Sequence, residues 1–331
     1  MLRRTFTRAL SAGIVAATVG AGAFTYAPAA LAQDKGELVY MTPGLDLAFW
    51  RYVSEGVKSV AEKNGYGFSA LDSTNDPKKQ LQNAQDAIAR GVAGIVLSPT
   101  DSSTAPAVLD LAKQNDIPVV IADIGTDSGE FVSVIGSNNY EGANGVGKAL
   151  AEAMKKAGKE SATVGIVGIS QARLNGQART KGFKDALAEA GITGDAGLQQ
   201  MQAYTADETF KFTQDMITAN PTMGGMFVQT DGPTLGALQA IKAARAQDDV
   251  MVAAFDGIPE FVPLLQSGEL VVSGMQQPYL MGVRSAEAMV EHLSGGTPEK
   301  EITVPILIVT SENIEQMLPT IKETVFANEV K

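Results

Sequence analysis

The chain has 331 residues, a formal net charge of −11, a single histidine and no cysteine. Such acidity argues against partners that present a phosphate backbone or an anionic membrane, and the missing thiols and imidazoles exclude disulfides and a zinc cluster. A chain of this size buries roughly three quarters of its unfolded surface and usually divides into two domains.

Residues 1–32 read as an export signal. Arg3, Arg4 and Arg8 precede an apolar run over 9–24 and then Ala30-Leu31-Ala32, a small-x-small cleavage site. Ordinary secretion is favoured over the twin-arginine route that Arg3-Arg4 would suggest. With no cysteine to carry a lipid, the processed chain is expected to be a free protein of a bacterial periplasm.

Residues 38–57 (LVYMTPGLDLAFWRYVSEGV) set the pattern for the rest of the chain. A short apolar run breaks at Pro43-Gly44, passes Asp46 and re-enters a helical period through Phe49, Tyr52, Val53 and Val57, predicting strand, turn and helix. The turn carries Phe49 and Trp50, the only tryptophan. In open parallel sheets, ligands bind at such strand ends, so this turn is the expected first wall of a small-molecule cleft.

Further strands are predicted at 67–71, 94–97, 118–122 and 131–135, with helices at 77–90 and 103–115 between them. The second half repeats the scheme, with strands at 164–167, 225–228, 250–255 and 271–273. Its helices are expected at 142–157, 176–190, 209–219, 233–246 and 279–293. The succession predicts an α/β protein with parallel sheets covered by helices on both faces.

A duplication is legible. IVLSPTD ends at Asp101 and is followed, after a helix, by VVIAD ending at Asp123; MFVQTD ends at Asp231 and is followed by VAAFD ending at Asp256. Asp101 and Asp231, directly before helical patterns, are expected to cap them. Asp123 and Asp256 end apolar strands and are expected to meet a ligand, because a buried carboxylate needs donors such as sugar hydroxyls. Two like lobes facing each other would point all four carboxylates into one cleft.

Two tempting signals are set aside. Residues 142–148 imitate a phosphate loop, but Ala149 stands where a metal-binding hydroxyl is needed and the segment is not at a strand end, so its glycines are expected to allow close helix packing. His292 is expected at the surface.

These features together resemble the periplasmic sugar-binding proteins of ABC transporters, of the ribose-binding type. The resemblance runs through AEKNGYGFSALDSTNDPKKQLQNAQDAIARGVAGIVLSPTDS, NDIPVVIAD, ARTKGF, LGAL, VAAFDG and MQQP. It implies two Rossmann-like lobes joined by three hinge crossovers, near Ser137, Gln276 and Val304. The N-terminal lobe would comprise 33–137 with 277–305, and the C-terminal lobe 138–276 with 306–331. The protein would then be no enzyme and would need no cofactor or metal. It would act as a monomer that closes on its ligand and delivers it to a membrane ABC permease, with a chemoreceptor as a further candidate partner and no nucleic acid.

The resemblance places the family's aromatic pair on Phe49 and Trp50, sandwiching the apolar face of a sugar ring. It places further contacts on Asp123, Arg179, Tyr204, Asp256 and Gln276. Where the ribose binders have arginine after the first of these aspartates, this chain has Ile124; an asparagine before the C-lobe aspartate Asp231 is Thr230, and the asparagine of the first turn is Leu47, preceded by Asp46. Asp46, Thr230 and Asp231 complete the expected set of ligand-binding residues. Losing those donors favours a pentose, a deoxy sugar or a short polyol over ribose, and Arg179 as sole cation disfavours an acidic sugar. The alternative, an exported sugar-processing enzyme, lacks an evident acid–base pair. A repressor core of the same architecture would need a basic DNA-binding helix pair where the export signal stands.

Overall fold

The computed structural model describes residues 35–329; the expected export signal lies outside them. The first sheet contains β1 (Glu37–Thr42), β2 (Gly67–Asp72), β3 (Gly94–Leu97), β4 (Val119–Ala122) and β5 (Val134–Gly136). The helices between them are α1 (Ala48–Lys63), α2 (Pro77–Ala89) and α3 (Ala105–Lys113). After α4 (Asn139–Lys156) the second sheet begins, with β6 (Thr163–Gly168), β7 (Gly194–Gln200), β8 (Met223–Val228), β9 (Met251–Phe255) and β10 (Val272–Met275). Its helices are α5 (Leu174–Glu189), α6 (Ala206–Ala219), α7 (Pro233–Ala243) and α8 (Phe261–Ser267). The chain closes with α9 (Pro278–Leu293), β11 (Glu301–Thr303), β12 (Leu307–Thr310) and α10 (Ile314–Thr324).

The strand orders are β11-β5-β4-β3-β1-β2 and β12-β10-β9-β8-β6-β7. Apart from the last strand of each, the orders are the same, so the duplication read from the aspartates recurs as topology. All pairings are parallel except β12 with β10, which is antiparallel. The sequence pattern predicts sheets parallel throughout; β12 reverses because only 304–306 separate it from β11, too short for a crossover that restores direction. The chain passes from one sheet system to the other after β5, after β10 and between β11 and β12.

The apolar strands alternate between two cores. On β1, Leu38 and Tyr40 join one cluster while Val39 and Met41 join another on the opposite face. In the second sheet, Met226 and Val228 face one cluster and Phe227 the other. Burial on both faces is why these strands read as unbroken apolar runs. β7 (GDAGLQQ), β11 (EIT) and β12 (LIVT) lie at sheet edges and are absent from the sequence-based expectation, as are α8 and α10; the first two carry few apolar residues. The phosphate-loop lookalike lies inside α4, where a Cβ on Gly147 would sit 2.9 Å from the Phe183 carbonyl of α5. His292 is exposed near the end of α9.

Candidate functional site

Both lobes follow the rule of the switch point. In each sheet the first strand lies beside the second on one side and the third on the other, and the loops leaving the carboxyl ends form a cleft between the lobes. An inner pocket there is lined by Leu47, Phe49, Trp50 and Asp123 from the first lobe, with Ile169, Arg173, Asn175, Arg179, Tyr204, Thr230, Asp256 and Gln276 opposite. Its cavity is about 20 Å³, room for little more than one water molecule, so a ring entering it has to displace side chains or widen the lobe spacing. Leu47, Trp50, Arg173 and Tyr204 are shared with an outer chamber of about 320 Å³, where Asp46, Asp72, Thr74 and Asn75 also stand.

Asp123 and Asp256 occupy matching positions, one residue past β4 and β9, both with left-handed backbone at φ 65° and 64°. Asp123 accepts from the Asn175 amide at 3.0 Å through Oδ2, while its Oδ1 is buried without a donor. Asp256 accepts from Gln276 at 2.8 Å and from Arg179 at 3.2 Å. Arg179 is buried: it donates also through Nη1 to the Gln229 carbonyl and through Nε to Asn139 Oδ1, and its guanidinium stacks 4.1 Å from the Phe255 ring.

Burial pushes the Asp123 carboxyl up to about 6, against the pull of Arg179 and with the nearby Asp256 charge adding to it. Asp231 is likewise pushed up to about 6 by burial and by Asp256. Asp256 is raised by the same desolvation, opposed by Arg179 and by the Gln276 hydrogen bond.

The structure corrects several expectations. Of the four duplicated aspartates only Asp123 and Asp256 line the inner pocket; Asp101 lines neither pocket, and Asp231 lies behind the wall, bonded to a backbone amide. Neither Asp101 nor Asp231 caps its own helix with its carboxylate: Asp101 offers its backbone carbonyl to Thr104 and Ala105, and α7 has Gly232 at its N-cap position and no side-chain cap. The rings of Phe49 and Trp50 meet edge to face at 4.8 Å and 85°, so the pair forms a corner of the wall rather than two parallel faces. Asp46 belongs to the outer chamber rather than the inner pocket, and Ile124 turns into the apolar core.

Three lining residues escape the sequence reading: Ile169, Arg173 and Asn175, on the loop from β6 into α5 and its first turn. That loop is the second-lobe equivalent of the Pro43–Trp50 turn, so the strand-end rule applied twice finds it. Arg173 overturns the picture of a single cation. It is buried, lies over the Tyr204 ring at 5.0 Å, and donates across the cleft to the Thr100 carbonyl and Asn75 Oδ1, each at 2.8 Å. Among the described residues no group of acidic, cysteine or histidine side chains could hold a metal ion.

A two-lobed α/β protein with a buried polar cleft at paired switch points is the architecture of an extracytoplasmic solute-binding protein. A sequence profile described as a periplasmic binding protein domain matches residues 38–297, and the chain belongs to that family. It is 32% identical to the ribose import binding protein of Escherichia coli over 92% of this chain and 97% of that protein. It is 29% identical to the D-apiose import binding protein of Actinobacillus succinogenes, covering 91% and 95% of the two chains. Among solved structures, a carbohydrate transporter solute-binding protein from Agrobacterium radiobacter in complex with D-arabinose superposes with a TM-score of 0.80 at 24% identity, over 88% of this chain and 98% of that one.

Proposed function

We propose that the chain is the periplasmic receptor of an ABC importer and that it binds a neutral sugar or sugar alcohol between its lobes, a pentose, deoxy sugar or short polyol before ribose. One observation carries the reading. Asp123 Oδ1, Asn175 Oδ1 and Gln276 Oε1 are buried acceptors without a donor, and all three residues line the same inner pocket. Buried acceptors of this kind are costly unless a partner supplies donors, and a polyol supplies several at ring spacing. Leu47, Trp50 and Tyr204 give the apolar surface that the C–H faces of a sugar require.

The names of the relatives, import binding proteins for ribose and D-apiose, support the same class. In this reading residues 33–137 with 277–305 form one lobe and 138–276 with 306–331 the other. Ligand contacts come from Phe49, Trp50 and Asp123 on the first and from Asn175, Arg179, Tyr204, Thr230, Asp256 and Gln276 at or beyond the hinge, with Asp46 at the mouth. A ligand touching both lobes favours the closed state by its differential affinity, and closure is what the permease reads.

The reading is tested by melting the protein, freed of carried-over ligand by unfolding and refolding, against pentoses, hexoses, deoxy sugars, tetritols, pentitols and inositols. A cognate ligand at ~100 times its dissociation constant adds about 2.7 kcal/mol, which is readily seen as a rise in Tm. A flat panel would remove neutral carbohydrates from consideration.

A further inference from the structure

The helices that open the two halves of the cleft, α1 and α5, both begin without a cap of their own. Their N-cap positions are Leu47 and Arg173, and neither side chain accepts from the first turn. Leu47 has the extended backbone of an N-cap, φ −83° and ψ 138°, but an alkyl side chain offers no acceptor. In both helices the acceptor arrives from the opposite lobe. Asp231, after β8, takes the amide N–H of Phe49, the second residue of α1, at 3.2 Å. Ser102, after β3, takes the amide N–H of Leu174, the first residue of α5, at 3.2 Å through its hydroxyl oxygen.

The two contacts are equivalents. α1 and α5 each follow the first strand of their sheet, and Ser102 and Asp231 each follow the third. Both acceptors are buried, and Asp231 is held in place by the Thr230 hydroxyl at 3.2 Å.

We propose that Asp231 and Ser102 are reciprocal helix caps that form only when the lobes are together, and that they set the balance between open and closed receptor without touching ligand. A helix N-terminus has amide donors with no partner inside the helix. In most proteins the cap travels with its helix and adds nothing to a domain motion. Here the caps are separated from their helices whenever the lobes part, so their contribution belongs to closure. Each is worth about fivefold in the closed-to-open ratio, the usual effect of an N-cap side chain. Ligand affinity inherits the same factor, since the ligand is held by the closed state.

This inference rests on the reading of the chain as a receptor that closes by a hinge, and its test uses no sugar. The chain has no cysteine, so spin labels go only onto introduced ones: Gln85→Cys on α2 and Lys211→Cys on α6, both exposed. Pulsed dipolar spectroscopy on the purified, ligand-free protein then gives the ratio of short to long lobe spacings. Asp231→Ala and Ser102→Ala each lower that ratio about fivefold, while Asp231→Asn restores it, because asparagine caps as well as aspartate. In a Leu47→Asn background, where α1 carries its own cap, Asp231→Ala has no further effect. A merely structural role for Asp231 gives the same loss in either background. The inference is overturned by a parent distribution with no short spacing, by alanines that leave the ratio unmoved, or by an Asp231→Ala effect undiminished alongside Leu47→Asn. Each of those results leaves the carbohydrate reading intact, and a flat melting panel leaves the caps intact.

Discussion

Asp123 and Asp256 stand at matched strand ends with φ of 65° and 64°, a left-handed conformation uncommon for anything but glycine. Such backbone is retained where the surroundings demand it, and here it aims two carboxylates into one small pocket. The cost is electrostatic as well. A carboxyl whose folded pKa lies above its unfolded value binds its proton more tightly in the folded protein. Its contribution to stability is therefore fully present below the unfolded value of 3.8 and is lost as pH rises through about 6. Comparing denaturant unfolding of the ligand-free protein with that of Asp123→Asn isolates that contribution: the parent loses about 3 kcal/mol more than the variant between pH 3.5 and 7. An identical pH dependence in the two proteins would contradict the burial argument.

Asp256 carries a different burden, because it is the buried counter-ion of Arg179 at 3.2 Å. Asp256→Ala strands a buried guanidinium and is expected to cost about 3–5 kcal/mol of stability in addition to the loss of binding. Adding Arg179→Met to that variant should recover part of the stability without recovering the ligand, a separation that calorimetric melting and titration of the two proteins would reveal.

At the scale of elements, close helix approach governs the second lobe. α4 and α5 cross where Gly147 and Gly182 leave no room for side chains: a Cβ on Gly182 would lie 2.2 Å from the Tyr140 carbonyl. Gly182→Ala is expected to destabilise by about 1–3 kcal/mol through forced separation of the two helices. An unchanged denaturation midpoint would show that the crossing is softer than its geometry implies. Of the glycines in 142–148 Gly147 serves this crossing, while Gly142 and Gly145 make room for Ile306 and Ile308, so the spacing that imitates a phosphate loop is a packing pattern.

The same elements show what a sequence reveals and what it hides. Strands such as β3 (GIVL) and β4 (VVIA) are buried on both faces and announce themselves as apolar runs. β7 is an exposed edge strand with two glycines and two glutamines, so its pattern carries no burial signal. Asp123, Asp256, Arg179, Tyr204 and Gln276 are legible from strand ends and from family resemblance. Arg173 and Asn175 become legible only when the strand-end rule is applied a second time, after β6, because their loop lies outside the segments that carry the resemblance and the helical period of α5 becomes evident only at Gly176, two residues after the helix begins. The contact that Asp231 makes is invisible for a deeper reason: its partner, Phe49, lies 182 residues away in the other lobe.

At the scale of the molecule, the lobes meet through a layered set of contacts. Asn175 reaches Asp123 inside the pocket, Arg173 reaches Thr100 and Asn75 around it, and the Tyr52 hydroxyl of α1 donates to Glu329 near the C-terminus at 2.8 Å. Tyr52 sits in the apolar cluster of the second lobe beside Phe326, so the C-terminal segment joins the two halves away from the cleft. A hinge protein of this kind reports occupancy through spacing, and its one tryptophan lies in the wall that the ligand would press.

If a polyhydroxylated ligand supplies donors to the unpartnered oxygens of Asp123, Asn175 and Gln276, a titration of Trp50 emission with the panel of sugars and polyols will show it. A saturable change is expected with one member or a narrow set, weakened by at least about tenfold in Asn175→Ala and in Gln276→Ala, each of which removes an acceptor the ligand would satisfy. Saturation that is indifferent to both substitutions, or no response to any member, would contradict it.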